Sequence, residues 1–216
     1  MVKVEAGRKL RLLALSIVPT FQELLGETEA CAAAGIDIPI GLHNAWPREA
    51  DVQARRRLRP HRASSVFPSP VRVLLQAKSY DEACRLSLEA CGKKPSKQTY
   101  AILPKIREVD AAITPELQTR VREAHPEVCF WALNGGAAMA HSKKTPAGAR
   151  ERERLLATVF DDDLACVAVR GAAALDDFFD ACAVAWTAAR IAQDRAERLP
   201  AEPPVDERGL RMEIVY

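Results

Sequence analysis

The chain opens on alternation. Met1 to Ala6 switches between apolar and charged positions, Gly7 supplies a turn, and Leu10 to Val18 is a β-like apolar run. This pattern predicts a hairpin. Pro19 to Ala30 then carries Phe21, Leu24 and Leu25 on one side of a helix. Ile36 to Ile40 is too short and too β-branched for a helix, so it predicts a buried strand.

Helical periodicity takes over in the middle. Arg48 to Leu58 is a strongly charged helix, and Ser79-Tyr80-Asp81-Glu82 is a capping box opening a helix that Gly92 closes. Ser96 caps another helix running to about Ala112, with Pro104 either kinking or splitting it. Arg120 to Ala124 predicts a short strand ended by His125-Pro126. Thr145-Pro146 marks a helix start, with the helix reaching about Val159. The longest helix is expected from Asp177 to Arg195, its first half rich in alanine and so able to pack closely on a sheet. A proline-rich linker (Pro200, Pro203, Pro204) leads to Leu210 to Tyr216, which alternates like an edge strand. The order implies a single α/β domain over 1–216, a mixed sheet flanked by helices, with a helical insertion at roughly 45–118.

Composition narrows the picture. Hydrophobic residues make up 48% and charged residues 28% of the 216 positions, enough for a full core. The formal charge of +2 gives no blanket attraction to nucleic acid, so such binding needs a local basic face. Arg55-Arg56-Arg57, Arg59, His61-Arg62 and Lys143-Lys144 are the candidates, against a plain reading as solvated helix faces. Six cysteines show no C-x-x-C pairing, which disfavours a zinc site or disulfide framework and suits a reducing cytoplasm. No small-residue cleavage pattern follows the short N-terminal apolar stretch, so no signal peptide is expected. No uncharged run has the roughly 18 residues of a membrane span. Oligomeric state is left open.

Candidate chemistry is acidic. Asp37 lies inside an apolar run, where an unstabilised carboxylate is expensive. It reads either as a site acid at a strand end or as a turn acid bonding backbone N–H groups near Pro39 to Gly41. Asp177 and Asp180 are three apart at a helix start and share a face. One of Asp176 and Asp177 is expected to cap that helix, whereas Asp180 lies past the cap on an otherwise apolar side. Acids from separate elements meeting at one point are how proteins hold Mg²⁺ or Mn²⁺ for phosphate chemistry. Asp37, Asp177 and Asp180 are therefore the candidate metal ligands. Glu127 is an assisting acid or a first-turn helix acid, and His125 a base or a structural histidine. Arg62, Ser64 and Ser65 offer donors for an anion-binding loop, and Lys143 and Lys144 are candidate phosphate contacts.

Several of these segments together resemble a known family. Ile36-Asp37-Ile38-Pro39-Ile40-Gly41-Leu42, Arg62-Ala63-Ser64-Ser65-Val66-Phe67-Pro68 and Lys105-Ile106-Arg107-Glu108-Val109-Asp110 carry the likeness. So do His125-Pro126-Glu127-Val128, Ser142-Lys143-Lys144-Thr145 and Asp177 to Ala181, in that order along the chain. The chain is similar to the DUF-429 family from about residue 10 to its C-terminus. The resemblance implies a ribonuclease-H-like fold and nuclease chemistry, and adds Lys105 to the substrate-contacting residues. It also implies a first strand carrying Gly-Val/Ile-Asp-Gly-Cys, whose aspartate is a metal ligand, lying between the hairpin and the strand of Asp37. The chain has no such segment. Either the start has been placed too far downstream, or this is a short form relying on another chain for the strand.

Three functions follow as expectations. The first is a divalent-metal-dependent nuclease or related phosphodiester hydrolase. The second is a non-catalytic module binding nucleic acid or a protein partner, and the third a small-molecule phosphohydrolase using the same acids. Fold kinship alone assigns no activity.

Overall fold

Alternation at the N-terminus does produce a hairpin: β1 (Val2–Ala6) pairs antiparallel with β2 (Leu10–Leu15). The computed structural model describes every residue except 46, 165 and 168–173. The far edge of β2 is covered by the segment after Val159, where the Asp161 N–H donates to the Leu10 carbonyl at 2.9 Å. α1 (Phe21–Glu27) follows, capped by the Thr20 side chain.

β3 (Ala34–Ile36) lies parallel to β4 (Val121–Glu123). Just past β4, Ala124 bridges to Val215 of β6 (Ile214–Val215), which pairs antiparallel with β5 (Arg198–Leu199). The strands β3, β4, β6 and β5 thus lie side by side. The C-terminal segment expected at an edge is instead interior: Ile214 and Val215 are buried, with neighbours on both sides. Alternation cannot tell an edge from an interior strand, because both present one side chain in two to each face.

Periodicity and caps predict the remaining helices except the one opened by Pro126, which the sequence reading left open. They are α2 (Glu49–Arg57), α3 (Tyr80–Cys91), α4 (Lys97–Ala112), α5 (Pro126–Leu133), α6 (Pro146–Val159) and α7 (Leu175–Ala192). The Ser79, Ser96 and Thr145 side chains accept the capping bonds, each worth about 1 kcal/mol. Pro104 does not split α4; it sits on the exposed side, where one missing hydrogen bond is tolerated. Neither Asp176 nor Asp177 caps α7. The cap position is Ala174, so both acids lie within the first turn, where they still favour the helix dipole.

Two layers of helix cover the β3–β4 pair. On one face Phe21, Val109 and Ile113 from α1 and α4 pack with Ile36 and Val121. On the other, Phe178, Phe179, Cys182 and Ala183 of α7 join Phe130 and Leu156. The architecture is a mixed α/β fold. Gly35 sets the spacing between β3 and α7, because a Cβ there would lie 2.7 Å from Val184 Cγ1. Among the described residues, no helix is long and apolar enough to cross a membrane.

Candidate functional site

β1 and β3 both pack against α7 and leave a groove between them, of about 740 Å³. Ala181, Val184, Ala185 and Ala188 of α7 line one wall, and Phe21, Leu24 and Val109 another. Asp37, Lys143, Asp177 and Asp180 also face this groove. The structure therefore brings Asp37 to the same cavity as the acids of α7.

Asp37 is not inside a strand. β3 ends at Ile36, and Asp37 is the first residue beyond it. The reason lies in the turn that follows. The Ile40 N–H donates to Glu123 Oε2 at 2.7 Å, and Arg48 Nη1 donates to the Ile40 and Gly41 carbonyls at 3.0 and 3.1 Å. Those buried side chains take the backbone groups that a longer strand would use for pairing. Asp37 keeps solvent contact at the groove, yet the protein packed around it raises its carboxyl above the ordinary value. The charges of His125 and Lys143 partly offset that rise.

Asp180 is more enclosed, with its side chain 13% exposed. Burial lifts its carboxyl to about 6, against the hydrogen bond and charge of Lys143, and the negative charges of Asp37 and Glu127 push the same way. Lys143 Nζ donates to Asp180 Oδ2, while the buried Oδ1 has no hydrogen-bond partner. Cys129 senses the same cluster: burial, then Asp37 and Asp180, raise its thiol to about 12. Lys144 pairs with Asp176 at 2.5 Å. Burial alone would raise the Asp176 carboxyl, but Lys144 and Lys143 hold it below its usual value. The two lysines are thus engaged with α7 acids rather than pointing only to solvent. Asp177 is exposed and lines the groove.

Glu127 sits in the first turn of α5 and is buried. One of its oxygens accepts from the fully buried Arg152 at 2.5 Å; the other has no partner. His125 occupies the cap position of α5, with Nε2 3.3 Å from the Ser65 carbonyl and a buried, unpartnered Nδ1. That contact brings the turn of Arg62, Ser64 and Ser65 to the histidine. Arg62 has a buried Nε without a hydrogen-bond partner, and Ser64 is exposed. Lys105 lines the groove from α4, where it donates to the Pro19 carbonyl and to Glu108 at 3.1 Å. Of the basic run, Arg55 donates to the Val66 carbonyl at 2.5 Å and Arg57 lies over the Trp131 ring.

The sequence reading missed the buried group of Arg48, Asp51 and Glu123. Arg48 bonds Glu123 at 2.6 and 2.8 Å and Asp51 at 2.8 Å. Burial raises Glu123 to about 7, partly opposed by Arg48. Its signal was present: Glu123, like Asp37, is an acid embedded in a strand-like stretch.

Among the described residues, no three His, Cys, Asp or Glu side chains converge as a ligand set. Asp37 and Asp180 nevertheless offer hard oxygen donors, including the unpartnered Asp180 Oδ1. Two carboxylates suit an ion that keeps most of its water, as Mg²⁺ does. Both carboxyls are raised first by burial, with Lys143 opposing the rise at each.

A model of the family described as "Protein of unknown function (DUF429)" matches residues 1–205. No curated protein and no solved structure matches the chain.

Proposed function

The chain belongs to the DUF429 family, and from the geometry of its groove we propose a divalent-metal-dependent phosphodiester hydrolase acting on nucleic acid. The observation that carries this reading is the pair of elevated carboxyls, Asp37 and Asp180, facing one cavity beside Lys143. An antiparallel hairpin followed by a parallel pair backed by a long helix supports a ribonuclease-H-like arrangement of the pieces. Cysteines used as core residues, Cys129 and Cys182, support a reducing cytoplasm.

Asp37 and Asp180 would hold Mg²⁺ or Mn²⁺, with Asp177 adding negative charge at the groove. The ion supplies charge neutralisation at the phosphate and an activated water. Lys143 holds Asp180 in place and presents a positive charge where a phosphate oxygen would enter. Glu127, fixed by Arg152, keeps one acceptor oxygen available, and His125, in contact with the Ser65 carbonyl, lies beside the turn that carries Arg62, Ser64 and Ser65. Lys105 and Lys144 extend the positive border.

The test is cleavage of DNA and RNA with each ion, which Asp37→Asn abolishes. If neither nucleic acid is cut with either ion, the hydrolase reading is dropped. The lack, among the described residues, of three converging His, Cys, Asp or Glu side chains favours a second reading, a non-catalytic module that binds nucleic acid or a protein. Salt-dependent nucleic-acid binding without turnover selects it.

A further inference from the structure

From Val52 to Tyr80 the chain carries six arginines, one lysine and one histidine, and neither aspartate nor glutamate. The whole chain is only +2, so the rest of it is net acidic. Arg48, Arg122 and Arg152 are each held by an acid, as is Arg72 late in this stretch. Among the described residues, Arg56, Arg57 and Arg59 pair with no acid, and all three are exposed. Crowded cations without counter-charge repel one another. The last turn of α2 draws some support from the helix dipole. That accounts for Arg55 to Arg57, and not for Arg59, His61 and Arg62 beyond the helix end.

The fold gathers these charges instead of spreading them. The Arg62 N–H donates to the Leu58 carbonyl at 2.8 Å, and Arg55 Nη1 donates to the Val66 carbonyl at 2.5 Å. Those bonds turn residues 58–66 back against the end of α2, so one ridge carries Arg56, Arg57, Arg59, His61 and Arg62. The Arg57 guanidinium lies 5.2 Å from the centre of the Trp131 ring, a cation–π contact that leaves its N–H groups without an acceptor. Glu197, the acid that meets Tyr216 beside Trp131, accepts from the tyrosine hydroxyl at 3.3 Å. Phe67, just past the turn, is 47% exposed. The ridge also leads to the groove. The Ser65 carbonyl lies 3.3 Å from His125 Nε2, and His125 is near enough to Asp37 for its charge to act on that carboxyl.

We infer that single-stranded nucleic acid lies along this ridge, with phosphates on Arg56, Arg57 and Arg59, an unpaired base on Phe67, and the strand passing His125 into the groove. This deepens the hydrolase reading, on which it rests for nucleic acid as the ligand, by giving the substrate a strandedness and a path. Guanidinium groups match phosphate oxygens with paired N–H donors. An open aromatic face takes an unpaired base, whereas a duplex keeps its bases stacked inside.

The test is fluorescence anisotropy with labelled single strands of about 15 nucleotides and with their duplexes. It is run in EDTA, so that nothing is cut. DNA and RNA are both used, because phosphate and base contacts do not choose the sugar. Single strands are expected to bind more tightly than duplexes. Arg56→Gln with Arg59→Gln should lower the slope of log affinity against log salt by about 1.4, the loss of two phosphate contacts. Phe67→Ala should weaken single-strand binding about fivefold or more and leave duplex binding unchanged. Lys94→Gln with Lys97→Gln removes the same charge from exposed positions at the start of α4 and should leave the slope as it was. Every changed side chain is exposed, and melting temperatures check that each variant folds. A wild-type slope in the arginine variant overturns the inference, as does an equal loss in the lysine variant. Duplexes bound as tightly as single strands, or no binding at all, overturn it too. Cleavage that persists alongside any of these leaves the hydrolase reading standing without the ridge. Binding as expected, with no strand cut when Mg²⁺ or Mn²⁺ is added, keeps the ridge and removes the hydrolase.

Discussion

Arg48 and Glu123, 75 positions apart in the chain, are joined by two buried hydrogen bonds of 2.6 and 2.8 Å. Through them the end of β4 is tied to the turn after Asp37, because Glu123 and Arg48 also hold the backbone of Ile40 and Gly41. The direction of Asp37 is therefore set by residues that never touch the groove.

Removing that guanidinium leaves Glu123 and Asp51 as buried acids without a cation. Arg48→Met is expected to destabilise the protein by about 3–5 kcal/mol at pH 7. Urea unfolding measures the loss. It should be smaller at pH 5, where Glu123 can escape its charge by taking a proton.

Stability itself should fall as pH rises from about 4 to about 7. Glu123 is lifted to about 7 and Asp180 to about 6, and Asp37 is raised as well. In that window the folded protein holds protons that the unfolded chain has released, so the slope of stability with pH is negative. Melting temperatures across this range, in metal-free buffer, check the sign. Asp180→Asn should flatten the acidic part of the curve.

A divalent ion at Asp37 and Asp180 works in the opposite direction. Mg²⁺ or Mn²⁺ should raise the melting temperature more at pH 8 than at pH 5, because only the ionised carboxylates bind it. At a hundredfold excess over its Kd the gain is about 2.7 kcal/mol. Asp37→Asn and Asp180→Asn should lose this response. Without the ion, Asp180→Asn should stabilise the fold at pH 8 by roughly 1–3 kcal/mol, since a neutral amide replaces a strained charge. A variant that is more stable yet blind to the ion separates site chemistry from structural damage.

Lys143 reaches Asp180 only because its loop lies against α6. A Cβ on Gly148 would stand 2.0 Å from the Ser142 carbonyl oxygen, so Gly148→Ala must push that loop outward. A cost of about 1–3 kcal/mol is expected. With Lys143 displaced, the Asp180 carboxyl should titrate higher still, which carboxyl NMR shifts would report.

Much of the local structure was legible because its causes are local. A serine or threonine before a helix bonds a backbone N–H three residues on, and Ser79, Ser96 and Thr145 do so. The hairpin followed from alternation around Gly7. Pro104 was ambiguous because helix context, not the proline, decides whether one absent bond matters. The strand of Asp37 was placed too late because an apolar run looks the same in a strand and in a packed turn.

The sequence by itself determined the hairpin, the capped helices and which acids stand in apolar runs, since these depend on neighbours within a few positions. Only the tertiary structure decided that Asp37 and Asp180 share a cavity, that Lys143 rather than solvent meets Asp180, and that β1 and β3 face each other across a gap. Those outcomes depend on how α7 packs on both strands. Such packing is a sum over distant side chains, from Gly35 against Val184 to Arg48 against Glu123, that no local pattern encodes.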